Sequence, residues 1–537
     1  MSTPSRLSHT FSRRAAIGTG VAGIAASPLV MGAPRAIARQ QATPAAADGV
    51  TPDMIQRGVA ALDGIVADAM DRTGVPGVCA AVVSPDETLV ARGYGIASTE
   101  TNAPVDADTI FQLASLSKPL ASTVVAGIVG DGGISWDAKI TDQLPGFALH
   151  DPYPTREVTI RDMFCHRSGL ADHAGDVLED MGYDREEVFH RLRELRPEYS
   201  FRAGYAYTNF GLTVGAVAAA NAAGQVWEDA AAERLYQPAG MTRTSSRFDD
   251  FINADNHAAT HVEVDGSWQP KYVRNADAQS PAGGVSSTAN DMARWMRLQL
   301  GNGTLDGTEI IAEAPLLQTH RPQVISSPPD QDAHFYGLGW NVTVVPEGVR
   351  VSHSGAFALG AGTTVYLYPA DGFGITVLTN GFPIGLAESI ALAFNDMVRV
   401  GAVQHDYLTA LAPTFQALAG PLYGAGVAGD PPADPMPSRD PAAYTGTWHN
   451  RYSGPIEIAQ DGDGLTLTQG PADDPATYPL EHWDGDIFTY MPSGENANVR
   501  AAVTFTMGTD GVATAMTVEN LDLQHQGTFT RDEATAP

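Results

Sequence analysis

Phe111–Leu120, FQLASLSKPL, places Ser115, Ser117 and Lys118 within four positions. Only three lysines (Lys118, Lys139 and Lys271) stand against 29 arginines in the 537 residues, so a lysine here departs from the habit of the chain. On a helix, residues three apart share a face and immediate neighbours do not. Ser115 can therefore meet Lys118, and Ser117 cannot. Pro119 lacks an amide hydrogen and is tolerated only near a helix start, so the helix is expected to begin close to Ser115. That puts the Ser115 hydroxyl and amide at the positive end of the helix dipole, where charge developing on an attacked carbonyl is stabilised. A serine needs a base to become a nucleophile, and a buried lysine can give up its proton where an arginine cannot.

Alone, S-x-x-K also describes a capping serine beside a solvated lysine. Two further segments single it out: AYTNFG with Tyr207-Thr208-Asn209, and VSHSGA with His353-Ser354-Gly355 at the start of a strand-like run. Around them, from about Thr51 to Gly401, strand-like pieces at both ends (VPGVCAAVVS, TLVARGYGIAS, GTTVYLYP, GFGITVLTNG) enclose helical ones (LASTVVAGIVGDG, DMARWMRLQLGNG). This order predicts an α+β domain, an antiparallel sheet packed by a helical region. Residues 401–441 read as a helical segment and a Pro/Gly/Asp-rich linker. Beyond it, IEIAQ, LTLTQ, IFTYM and VTFTM alternate in polarity between DGDG, DGD and TDG turns, so residues 442–533 are expected to form a small all-β barrel or sandwich.

Ser-x-x-Lys, Tyr-x-Asn and His-Ser-Gly, in this order, resemble the motifs of the serine β-lactamase and D-Ala-D-Ala peptidase superfamily. The nearest branch is that of class C β-lactamases, D-aminopeptidases and β-lactamase-like esterases. The likeness spans about residues 52–400 and takes in CHRSGL at 165–170, PAGGVSSTANDMARWM at 281–296 and FYGLGW at 335–340. It implies a Ser115 nucleophile that is acylated, Lys118 as its base, and Tyr207 as a second proton-transfer group whose phenol pKa must fall well below its usual value of about 10. It further implies that Asn209 bonds the substrate amide or the lysine and that the amides of Ser115 and Ala356 form an oxyanion hole. His353, with Ser354 and Gly355, would line the site opposite the nucleophile. No cofactor is implied. Many members carry Lys-Thr-Gly where this chain has His353-Ser354-Gly355, and a histidine is the poorer anchor for a substrate carboxylate, so peptide, amide or ester substrates are expected ahead of β-lactams. The C-terminal segment, from YTGTWHN at 444–450 onward, resembles the lipocalin-like domain of some peptidases of this branch.

Ser12-Arg13-Arg14, a Gly/Ala-rich apolar run from Ala15 to Met31, and Ala36-Ile37-Ala38 read as a twin-arginine export signal with its cleavage site over residues 1–38. An exported protein with no integral membrane span after cleavage is expected. Removing the signal takes the formal charge from -30 to -34, which argues against nucleic acid as a partner. Cys79 and Cys165 read as buried free thiols, and His166 and His173 lack a third metal ligand at recognisable spacing. No G-x-S-x-G elbow occurs, which removes an α/β-hydrolase reading. The competing reading from another class is a catalytically silent module that binds cell wall or peptide in the same cleft. The sequence is compatible with a homo-oligomer.

Overall fold

The computed structural model describes residues 49–327, 332–345, 348–495, 497 and 499–531. The export signal lies outside the described residues. An eight-stranded antiparallel sheet runs, edge to edge, through Thr88–Gly95, Gly77–Val83, Phe373–Thr379, Ala361–Tyr368, Gly348–Phe357, Asn341–Val345, Ala333–Tyr336 and Val324–Ile325. The early and late strands pair directly, with Ala80 opposite Val377. Gly77–Val83, GVCAAVV, is buried along its whole length because helices cover both faces of the sheet, which is why it reads as an unbroken apolar run.

One face is covered by the helices Pro52–Thr73 and Leu386–Arg399, packed on Tyr366, Tyr368, Ile375 and Val377. The first begins with the Thr51 side chain accepting from Met54 N and ends at Gly74, whose φ of 67° closes the last turn. Gly58 lets the two helices touch: a Cβ there would come within 2.5 Å of Val398. Against the other face lies Ala289–Leu300, with Ser117–Gly130 bonded to it through Thr123 and Asn209–Ala222 packed on Ser117–Gly130. The site forms between these helices and the strand Gly348–Phe357.

Tyr407–Ala419 forms a helix, and a largely exposed stretch leads to the second sheet. That sheet is a meander of eight antiparallel strands from Gly446–Trp448 to Thr528–Thr530, brought nearly to closure by a bridge between His449 and Thr530. Trp448, Leu467, Phe488, Val503, Phe505 and Phe529 fill its interior, as expected of a small barrel. Its buried apolar residues are continuous with those around the nucleophile helix. Cys79 and Cys165 are buried free thiols, as the sequence suggests. Among the described residues no helix is long and apolar enough to cross a membrane.

Candidate active site

A 3-10 turn, Ala114–Leu116, leads directly into the helix Ser117–Gly130, so Ser115 stands at the amino end of a continuous helical segment. The turn is held open. Ala114 has a φ of 49°, a region that costs a residue bearing a Cβ about 1 kcal/mol or more. Ser117, the serine that faces away from Lys118, pins this conformation: its hydroxyl donates to Ala114 O at 2.6 Å and accepts from Val285 N at 2.9 Å.

Lys118 is fully buried. Its Nζ lies 3.0 Å from Ser115 Oγ, 2.6 Å from Asn209 Oδ1 and 2.9 Å from Ala282 O. The last two partners are pure acceptors. A neutral amine therefore donates both hydrogens to them and is left with its lone pair on the Ser115 hydroxyl. Burial brings the lysine down to about 7, with Asp176 the opposing influence, so the neutral form is accessible near neutral pH.

Tyr207 OH donates to Ser115 Oγ at 2.9 Å, and the Lys118 amine lies over its ring, 4.6 Å from the centroid. Here the structure corrects the sequence reading: burial, reinforced by Asp176 and Asp172, pushes this phenol above its usual range rather than below it. A lysine that is itself near neutrality adds little positive charge to draw the proton off. In this structure Tyr207 keeps its proton and donates it in a hydrogen bond to Ser115 Oγ.

The strand Gly348–Phe357 runs beside the nucleophile turn because residue 355 has no side chain. A Cβ on Gly355 would come within 2.1 Å of Leu113 O and 3.0 Å of Ser115 N. Thr363, paired with Gly355 on the next strand, donates to Leu113 O at 2.7 Å and ties the sheet to the turn. Ala356 follows immediately on this strand. His353 shares the face of Gly355, and its Nδ1–H donates to Ser354 O at 2.7 Å, leaving Nε2 to accept from Tyr336 OH at 2.9 Å. Burial, and then Lys118, bring its pKa down to about 3, so the ring is neutral. His166, held well below the usual imidazole range by burial, packs at a tilt between the rings of Tyr207 (4.7 Å, 47°) and Tyr336 (4.8 Å, 55°).

Ser354, grouped with the substrate-binding residues from sequence, sits differently. Strand alternation turns its hydroxyl to the other face, where it bonds Thr364 Oγ1 at 2.9 Å and the carboxyl of Glu388. Burial pushes Glu388 up to about 7. Between pH 4.5 and 7 the unfolded chain releases a proton that the folded one retains, so stability falls as pH rises through that window. Glu388→Gln is expected to raise the melting temperature at pH 8 and to change it little at pH 4.5, a gain on the order of 2 kcal/mol at the higher pH. Equal melting shifts at both values would contradict a buried, protonated Glu388.

The sequence reading missed a second layer. Asp176 Oδ2 accepts from Asn209 Nδ2 at 2.9 Å and from His173 Nδ1 at 2.7 Å. Although burial works against it, His173 is held protonated, up to about 9, by Asp176 and then Asp172. Asp172 Oδ1 accepts from Tyr207 N at 2.8 Å, and His173 N donates to Tyr207 O at 2.7 Å, so this loop clamps the tyrosine from both sides. His173, with a φ of 56°, and His166, at 58°, are again left-handed. Nothing in the sequence assigns either histidine a role beside the nucleophile: His166 falls within CHRSGL and His173 stands alone. The nearest usable signal was an Asp-x-x-x-Asp run next to His173, which is too common to select.

On the far side, Arg274 meets Glu179 at 2.6 Å, Glu495 at 3.3 Å and Asp180 at 3.7 Å. Glu495 comes from the barrel, and its Oε1 also accepts from Ala358 N at 2.8 Å, two residues beyond Ala356.

A serine at a helix start with a buried lysine one turn on, its pKa lowered by burial, is arranged as the nucleophile and base of acyl-transfer chemistry are. A family model described as Beta-lactamase matches residues 62–393, more than half of the chain, and the chain belongs to that family. Residues 430–533 match a domain of unknown function (DUF3471). The unguisins hydrolase ungD of Aspergillus violaceofuscus is 25% identical over 84% of this chain and 86% of its own length. The esterase EstB of Burkholderia gladioli is 30% identical over 41% of this chain and 57% of its own. The D-alanyl-D-alanine-carboxypeptidase/endopeptidase AmpH of Escherichia coli K12 is 23% identical over 61% of this chain and 85% of its own. In fold the chain is similar to the octameric penicillin-binding protein homologue from Pyrococcus abyssi, at a TM-score of 0.54 and 16% identity, over 88% of this chain and 99% of that one.

Proposed function

We propose that the protein is a serine hydrolase that opens amide or ester bonds through an acyl-enzyme on Ser115, within the class C-like branch. The observation that carries this reading is the Lys118 amine, with both hydrogens taken by Asn209 Oδ1 and Ala282 O and its lone pair on the Ser115 hydroxyl. Lys118 takes the Ser115 proton as the serine oxygen bonds to the substrate carbonyl carbon. The amides of Ser115 and Ala356 hold the oxyanion. Collapse of the tetrahedral species breaks the carbon–nitrogen or carbon–oxygen bond, and the proton on Lys118 goes to the leaving group. Water then attacks the acyl-enzyme by the same route in reverse, with Tyr207 keeping its proton and donating to the serine oxygen. A silent binding module would gain nothing from a lysine brought near neutrality at the cost of its burial.

The cleft also bears on the substrate. His353 is neutral and Arg274 is engaged by three carboxylates, so neither offers free positive charge to a substrate carboxylate. Peptides, amides and esters lacking such an anchor are therefore preferred to β-lactams, in keeping with the hydrolase, esterase and peptidase names of the relatives. The test is to label the purified protein with a fluorophosphonate, map the adduct by tryptic mass spectrometry, and compare p-nitrophenyl esters, D-amino-acid peptides and nitrocefin as substrates. An adduct on the Ser115 peptide with ester or peptide turnover well above that of nitrocefin is expected. No adduct and no turnover would establish the silent module instead.

Export by the twin-arginine route, and a place outside the cytoplasm, rest on Arg13 and Arg14 ahead of the apolar run. Replacing both by lysine should retain the protein in the cytoplasmic fraction, and unchanged export would refute the route. The C-terminal barrel is taken as lipocalin-like on its eight-stranded meander, with a packing role. A homo-oligomer has one support, the octameric description of the Pyrococcus relative, and light scattering of the purified chain tests it.

A further inference from the structure

Asn209 can help Lys118 act as a base only if its amide oxygen, and not its NH2, faces the amine. The two ends of an amide are nearly the same shape, so packing alone does not choose between them. Asp176 does choose, because its Oδ2 accepts from Asn209 Nδ2 at 2.9 Å. If the amide turned over, oxygen would face the carboxylate and NH2 would face the lysine, and both hydrogen bonds would be lost. The same Oδ2 accepts from His173 Nδ1, while Oδ1 is buried and accepts nothing.

What holds Asp176 is not catalytic-domain structure alone. Gly175, at a φ of 97°, lies so close to Phe210 and Val188 that a Cβ would come within 2.7 and 2.9 Å of them. Its amide donates at 2.8 Å to the hydroxyl of Tyr452, a fully buried side chain of the C-terminal barrel. The Tyr452 turn is itself braced. Asn450 Oδ1 accepts from the amides of Tyr452 and Ser453, both at 2.8 Å, and Arg191 donates to Tyr452 O at 3.0 Å. Tyr183 OH donates to Ser453 O at 3.1 Å. Nearby, Gln524 of the barrel donates to Asp172 O at 3.2 Å, within the loop that clamps Tyr207.

We propose that Asp176 is a positioning residue for the Lys118–Asn209 pair and that the C-terminal barrel sets its place through the Tyr452 hydroxyl. The barrel is on this account a working part of the hydrolase rather than an appended module. The inference rests on the Ser115 acyl-enzyme reading. It also has a pH signature. The charged and titratable groups facing Asp176 and Lys118 are His173 and Asp172 from the preceding loop, Glu179 and Asp180 from the helix of Asp176, Tyr452 of the barrel, and Arg274 with the barrel's Glu495 beyond them. Tyr207, His166 and His353 face the lysine from the other walls. Asp176 itself is the negative charge that favours the ammonium form of Lys118.

The experiment measures the rate of Ser115 labelling by a fluorophosphonate against pH in the full chain, with melting curves alongside. Asp176→Asn keeps an oxygen for Asn209 but removes the charge, and the acid limb should move to lower pH by about one unit. Asp176→Ala removes the tether, and the plateau rate should drop about tenfold or more, because the amide is free to turn. Tyr452→Phe should lower the plateau about fivefold, the worth of one neutral hydrogen bond, without moving the acid limb. If Asp176→Ala fails to fold, Asp176→Asn still decides through its pH profile. Asp176 variants with the wild-type plateau and acid limb would overturn the inference. A fall in Asp176→Ala with a wild-type Tyr452→Phe plateau would overturn the role of the barrel. Wild-type protein left unlabelled at Ser115 would count against the hydrolase reading itself, which keeps the two failures apart.

Discussion

Ser115→Ala protein takes up no fluorophosphonate, and its turnover of the best ester or peptide falls by on the order of 10⁴ or more, the usual consequence of deleting a covalent nucleophile. No neighbouring hydroxyl can stand in. Ser117 is buried with its oxygen committed to Ala114 O and Val285 N. Ser354 points to the opposite face of the sheet, onto Thr364 and Glu388. Tyr207 is close to Ser115, yet its phenol is pushed up by burial and stays a poor nucleophile. The loss should lie in kcat and in labelling, with melting little changed, since alanine removes one partly exposed hydroxyl. Label appearing on another residue of the Ser115→Ala protein, with turnover preserved, would remove Ser115 from the mechanism.

The parts of this site that the sequence shows plainly are those set by short-range geometry. Ser115 and Lys118 meet because they are three apart on a helix, and Pro119 tells where that helix starts. The continuous apolar run GVCAAVV reports burial on both faces of its strand. What stays hidden depends on where distant segments come to rest. Asp176 meets Asn209 across 33 positions and Tyr452 meets Gly175 across 277, with no periodicity to announce either contact. The direction of Ser354 follows from strand alternation only once His353 and Gly355 are known to face the nucleophile. The direction of the Tyr207 shift is hidden for a related reason: it depends on how deeply the phenol is buried and on two carboxylates from a loop 30 or so positions away.

Lys118→Arg separates the charge of this residue from its ability to accept a proton. If positive charge near Ser115 were what mattered, arginine would preserve activity, since it carries that charge at every pH. The structure argues otherwise. A neutral amine fits the three partners of Lys118 with its lone pair on Ser115, and burial brings the group to about 7. Labelling by a fluorophosphonate should therefore rise with pH and level off above about 7 in the wild-type protein. Because the ammonium form is the inactive one, the slow limb lies on the acid side. In Lys118→Arg the plateau should fall by on the order of 10² to 10⁴, the usual worth of a positioned general base, and the acid limb near neutrality should vanish with the group that produced it. The larger guanidinium also has to fit a fully buried site between Asn209 and Ala282, so Lys118→Ala is the companion variant. It leaves space, and a small primary amine supplied in solution should restore part of its labelling in proportion to the free base present. Arginine at wild-type rates, or an alanine variant that amines do not help while Ser115 remains reactive, would assign the base to another group.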